Sequence, residues 1–136
     1  MTMNITSLAA ALILSGVAQL AAAANPLSVH VLNLQDGLPS AQVEVTLEKQ
    51  AGKQWVALGA GSTNADGRIP ALFPEGERFD KGIYRVTFKT GAWFAARKID
   101  SFFPEVPVLF VVDGKAAHYH IPLLISPFGF STYRGN

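Results

Sequence analysis

The stretch Ala117-His118-Tyr119-His120-Ile121-Pro122-Leu123-Leu124-Ile125-Ser126-Pro127-Phe128-Gly129-Phe130-Ser131-Thr132-Tyr133-Arg134-Gly135-Asn136 holds two of the three histidines of a 136-residue chain. Successive side chains of a strand point to opposite faces. Tyr119, Ile121, Leu123 and Ile125 therefore share one face, and His118, His120, Pro122 and Leu124 the other. The first set is fit for a core. The second mixes imidazoles with apolar groups, where a solvated face would carry Lys, Glu or Thr. Such a face calls for cover by another element or subunit, with a pocket left open beneath it.

Upstream, the alternation recurs. In residues 26–34, Leu27, Val29 and Val31 fall on one face and Ser28, His30, Leu32 and Leu34 on the other, so the third imidazole also sits among leucines. Gln35-Asp36-Gly37-Leu38-Pro39 supplies turn residues. Residues 41–49 read as a second strand with Val43, Val45 and Leu47 inward, and residues 54–63 as a third, anchored by Trp55 and Val56. Thr63-Asn64-Ala65-Asp66-Gly67-Arg68-Ile69-Pro70 reads as a loop whose Asp-Gly pair makes a tight turn and leaves Arg68 just beyond it. Residues 75–82 are a polar surface loop, residues 83–89 alternate as a strand, residues 91–98 suit one short helix, and the apolar run 102–112 contains a further strand. Short strands parted by Gly, Pro and Asp turns predict an all-β antiparallel sandwich in one domain.

With 49% hydrophobic and 15% charged residues, the chain has the material for one packed core. The net charge is +1 and the basic residues are scattered, which excludes the footprint of a nucleic-acid binder. There is no cysteine, hence no disulfide and no thiolate chemistry. Residues 1–24 carry no charged side chain and join the apolar run Leu8-Ala9-Ala10-Ala11-Leu12-Ile13-Leu14 to Ala21-Ala22-Ala23-Ala24, the h-region and Ala-x-Ala ending of a cleavable signal peptide. No Lys or Arg precedes that run, a departure from the usual leader. Ser15, Gly16 and Gln19 interrupt it short of the roughly 20 residues a membrane span needs. The expectation is a signal peptide over 1–24, a mature domain over 25–136, a periplasmic location and no membrane partner.

Candidate chemistry rests on the imidazoles. A lone histidine on a half-apolar strand face is by default a hydrogen-bonded structural residue. Three on faces that can meet suggest a base that takes a proton from water near neutral pH and returns it to a leaving nitrogen, as hydrolysis of an amide-like bond requires. The same residues fit a rival: His118 and His120 with His30 as a three-imidazole zinc set, its fourth position open to water. The residues alone leave both open, although no Asp or Glu flanks Tyr119 to orient such ligands. Arg68 reads by default as a solvated loop cation and alternatively as a fork of donors for a carboxylate-like oxygen. Tyr133-Arg134-Gly135-Asn136 reads as a frayed end or, given the large aromatics Phe128, Phe130 and Tyr133, as part of a docked segment. Neither Gly-x-Gly-x-x-Gly nor Gly-x-Ser-x-Gly is present, so cofactor chemistry has no visible home.

The segments Ser28-Val29-His30-Val31-Leu32-Asn33, Thr63-Asn64-Ala65-Asp66-Gly67-Arg68, and His118-Tyr119-His120-Ile121-Pro122-Leu123-Leu124 through Ser126 to Gly135 resemble the 5-hydroxyisourate hydrolases, the transthyretin-related enzymes of urate catabolism. The resemblance spans essentially everything after the leader. It is most specific in the C-terminal part, because transthyretin itself lacks both the histidines and the Tyr-Arg-Gly ending. It implies a transthyretin-like sandwich of two four-stranded sheets with one short helix, assembled as a homotetramer, a dimer of dimers with active sites in clefts between the dimers. It implies hydrolytic opening of the six-membered ring of 5-hydroxyisourate to 2-oxo-4-hydroxy-4-carboxy-5-ureidoimidazoline, with no cofactor and no metal. By motif position it makes His30, Arg68 and His120 catalytic, assigns Tyr133, Arg134, Gly135 and Asn136 to substrate binding, and leaves His118 as a neighbour. Asn136 stands where the family usually has serine; it is longer but also donates and accepts hydrogen bonds. A transthyretin-like carrier without turnover and the zinc site stand as alternatives.

Overall fold

The computed structural model describes residues 24–136, so the expected leader lies outside the described residues except for Ala24. In chain order the elements are β1 (Leu27–Asn33), β2 (Leu38–Pro39), β3 (Glu44–Ala51), β4 (Gln54–Ser62), β5 (Arg68–Ile69), β6 (Gly82–Phe88), α1 (Thr90–Ala95), β7 (Val106–Val112), β8 (Tyr119–Ser126) and β9 (Gly129–Thr132). They form the expected sandwich. One sheet runs β4-β3-β6-β7; the other runs β2-β1-β8-β9, and β5 also pairs with β1. The two-residue strands β2 and β5 bring this second sheet to five strands. The expectation of antiparallel sheets fails at one pairing: β1 and β8 run parallel, from Leu27 opposite Tyr119 to Asn33 opposite Ile125. Parallel neighbours need a long crossover rather than a hairpin. Here the crossover contains the whole four-stranded sheet.

The period-two pattern builds the core. Leu27, Val29 and Val31 of β1 and Tyr119, Ile121, Leu123 and Ile125 of β8 are buried in one cluster with Val43, Val45, Leu47, Tyr84, Val86 and Phe88. Each such side chain contributes about 1.5–3 kcal/mol on leaving water. Phe79 stitches the loop before β6 to this cluster, its ring centroid 4.7 Å from that of Phe73 and 5.0 Å from that of Tyr84. Helix α1 is shorter than the composition of 91–98 suggests. Trp93 and Phe94 are buried, with the Trp93 indole donating to the Ala41 carbonyl at 2.7 Å, and the chain then turns at Lys98 with φ +59°. The second strand begins at Glu44 rather than at 41 because Gln42 has φ +64°, which a ladder cannot accommodate. Among the described residues no helix is long and apolar enough to cross a membrane.

The loop expected at 63–70 is half strand, since Arg68 and Ile69 form β5 against β1. Asn64 organises it. Its side-chain oxygen accepts from the N–H groups of Asp66 and Arg68, both at 3.0 Å, and its carbonyl accepts from the Gly67 N–H at 2.8 Å. Gly67 has φ +70°, and its carbonyl accepts from the Val31 N–H at 2.8 Å, fastening the turn to β1. A Cβ on Gly67 would lie 2.5 Å from the Val31 carbonyl oxygen. Gly67→Ala is therefore expected to destabilise the fold by about 1–3 kcal/mol. A urea melt should show a lower midpoint at unchanged slope; an unaltered midpoint would show that the turn is not held in this way.

Candidate active site

Register sets the site. His30 stands opposite Arg68 across the β1–β5 pairing and opposite Pro122 across β1–β8, while Ser28 stands opposite His120. Paired residues share a face. With Leu27, Val29, Ile69, Tyr119 and Ile121 turned into the core, Ser28, His30, Arg68, His120 and Pro122 project together from the outer face of the five-stranded sheet.

After β9 the chain continues along the edge of β8 in the same antiparallel register. The Gly135 N–H donates to the His120 carbonyl at 2.9 Å. A Cβ at Gly135 would come within 2.5 Å of His120 Cδ2 and 3.0 Å of Pro122 Cγ, so only glycine lets the main chain lie this close to the imidazole. The Arg134 guanidinium sits 5.2 Å from the Tyr119 ring centroid. Of the aromatics expected to dock this segment, Phe128 is 75% and Tyr133 60% exposed, so the main-chain bond at Gly135 does more to hold the tail than aromatic burial.

These pieces enclose a cavity of about 310 Å³ lined by His30, Arg68, His120, Pro122, Tyr133, Arg134, Gly135 and Asn136. That is the size of a small-molecule site. The seven residues that the resemblance assigns to catalysis and substrate binding all line it, and His118 does not. Partial burial is the main cause lowering the His30 pKa from its usual 6.5, followed by the Arg68 charge, with the Asp66 main chain and carboxylate pulling the other way. His120 is lowered likewise by burial, then by Arg68, His30 and His118, against a smaller opposing effect of the Ser28 main chain. Neutral bases thus face a fixed cation.

Ser28 and Pro122 were not anticipated as site residues. The signal for Ser28 was its place two residues before His30 on the same strand face. Its hydroxyl lies 2.7 Å from His120 Nδ1 and 3.0 Å from His118 Nε2, while His118 Nδ1 is 2.8 Å from the Asn25 carbonyl oxygen. Both ring nitrogens of His118 are engaged by these partners. The three-imidazole metal set does not form, and among the described residues no three His, Cys, Asp or Glu side chains gather to hold an ion. A larger depression of about 820 Å³ lies on the four-stranded sheet between Thr46, Glu48, Arg85, Lys89 and Glu105. Its charges neutralise one another, Arg85 with Glu48 at 2.7 Å and Lys89 with Glu105 at 2.9 Å, and no imidazole reaches it.

Residues 27–135 match the model of the HIUase/Transthyretin family. The 5-hydroxyisourate hydrolase of Salmonella typhi is 49% identical over 127 residues, covering 93% of each chain. That of Mus musculus is 34% identical over 119 residues, covering 86% of this chain and 100% of its own. Among solved structures, Klebsiella pneumoniae 5-hydroxyisourate hydrolase superposes with a TM-score of 0.71 at 39% identity, covering 81% of this chain and 98% of that one. Sea bream transthyretin in complex with thyroxine gives 0.76 at 30% identity, covering 81% and 94%. The family match over nearly the whole described region, with this identity to its hydrolases, makes the chain a member of the HIUase/Transthyretin family.

Proposed function

We propose that this protein hydrolyses 5-hydroxyisourate to 2-oxo-4-hydroxy-4-carboxy-5-ureidoimidazoline. The observation that carries the reading is the convergence of His30, Arg68 and His120 on one cavity with Tyr133, Arg134, Gly135 and Asn136. The backbone is as close to a thyroxine-binding transthyretin as to a hydrolase, so shape alone does not choose between them. The imidazoles do: a carrier of an aromatic ligand has no use for two paired bases beside a guanidinium.

His120, with His30, positions a water and takes its proton as the oxygen attacks the ring carbonyl. Arg68 donates hydrogen bonds to the oxyanion that develops. The acyl carbon–nitrogen bond breaks, the imidazolium returns the proton to the departing nitrogen, and the ring opens to a carboxylate and a ureido group. Arg134, Tyr133 and Asn136 hold the heterocycle's polar edge, and Gly135 keeps His120 in place.

The setting we propose is a homotetramer in the periplasm after removal of residues 1–24. Support comes from the apolar leader and from uncovered apolar groups, namely Leu34 at 53% exposure on the His30 face and Leu109 and Val111 at 57% and 67% on edge strand β7. A dimer of dimers would cover them. Sedimentation should give four chains and N-terminal sequencing of periplasmic protein should start at residue 25; a monomer retaining Met1 would sink both parts.

Turnover is measured as the loss of 5-hydroxyisourate absorbance above its spontaneous decay. His120→Asn should lower it by ~100-fold or more, the usual scale for loss of a general base; near-native turnover would remove His120 from the role. Tight ligand retention with no turnover would favour the carrier.

The pH profile has a defined sign. Because burial and Arg68 lower both imidazoles, they take up protons only at pH values under 6.5. Turnover should stay level as pH falls to 6.5 and decline below it; an acid limb centred above 6.5 would contradict the proposed environment.

A further inference from the structure

The Ser28 hydroxyl bridges two imidazoles, 3.0 Å from His118 Nε2 and 2.7 Å from His120 Nδ1, and the chain of contacts starts at the Asn25 carbonyl, 2.8 Å from His118 Nδ1. Directions follow from the first link. A carbonyl only accepts, so His118 carries its proton on Nδ1 and, as a neutral ring, offers Nε2 as an acceptor. Ser28 has one hydroxyl proton and gives it there. The Ser28 oxygen then accepts from His120, which places the His120 proton on Nδ1 and leaves a free lone pair on Nε2. That edge of the ring is the one against the cavity: Cδ2, the bonded neighbour of Nε2, is the atom Gly135 packs on, and both residues line the cavity.

We propose that Ser28 and His118 are positioning residues that fix the tautomer of His120, so that the atom able to take a proton from water is Nε2. The proposal rests on the hydrolase reading only for its kinetic consequence; the tautomer itself is a property of the hydrogen-bond chain. Two features mark the chain as directional. It begins at a main-chain carbonyl, which can only accept and so holds the His118 proton on Nδ1. It ends on a ring whose other nitrogen has no protein partner among the described hydrogen bonds. An imidazole in the wrong tautomer is a poor base, and in serine proteases that fault alone lowers kcat by about 10⁴-fold. An imidazole released from its partner samples both forms and loses less.

The test uses the purified protein labelled with ¹⁵N, reading the His120 ring nitrogens by long-range proton–nitrogen correlation at neutral pH, alongside kcat and KM. In the parent, His120 Nδ1 should resonate as a protonated nitrogen and Nε2 as an unprotonated one. Ser28→Ala should bring the Nε2–H form into the spectrum and lower kcat roughly tenfold, the worth of one hydrogen bond, with KM little changed. His118→Phe should do the same. Ser28→Thr, which keeps the hydroxyl and suits a strand, should restore both signals. A parent already protonated at Nε2, or a His120 spectrum unmoved by Ser28→Ala and His118→Phe, overturns the proposal. If the spectrum moves as expected while no variant or parent turns over 5-hydroxyisourate, the tautomer assignment stands and the hydrolase reading falls.

Discussion

The parallel pairing of β1 with β8 is the constraint on which the rest depends. Its register places Ser28 beside His120 and His30 beside Pro122, and the same register turns Leu27, Val29 and Val31 inward with Tyr119, Ile121 and Leu123. A slip of one residue would send the imidazoles into the core and the valines to water. Core burial therefore fixes the geometry of the cavity. β5 adds the guanidinium by pairing with the other edge of β1 at His30, and the Asn64–Gly67 turn holds it there.

A 5-hydroxyisourate hydrolase and a transthyretin share this sandwich at similar backbone likeness. In this chain the candidate site lies on the outer face of one sheet, while the inner face is an ordinary hydrophobic core. The present chain spends that outer face on two neutral bases, one cation and a glycine that lets the tail lie against an imidazole. A Cβ at position 135 would displace either the ring or the tail, so the absence of a side chain there has a share in the placement of the imidazole.

Much of this was legible in the residues. Alternation in 26–34 and 118–125 gave the two faces correctly, and the resemblance to the hydrolases, rather than residue-by-residue reading, named every residue that lines the cavity apart from Pro122. What alternation does not encode is pairing direction, which depends on where the intervening chain goes; hence the parallel β1–β8 ladder went unread. β5 was missed for a related reason, since two residues show no period and their strand character comes wholly from β1 beside them. The tail was harder still. Its aromatics suggested docking by burial, whereas the contact that holds it is a main-chain hydrogen bond to a strand carbonyl, invisible to any reading of side chains.

Ser28 and His120 are 92 positions apart along the chain. The loop that must close before they meet is among the longest this domain can form, and non-local closure of that kind slows folding. During synthesis β1 emerges long before β8, and until β8 arrives one of its edges is open to any passing strand. β2 and β5, which come off the ribosome earlier than β8, can pair with the opposite edge only. The arrangement that assembles the candidate site therefore also delays it: the site is complete only once this distant contact has been made, and until then the open edge of β1 is available for association.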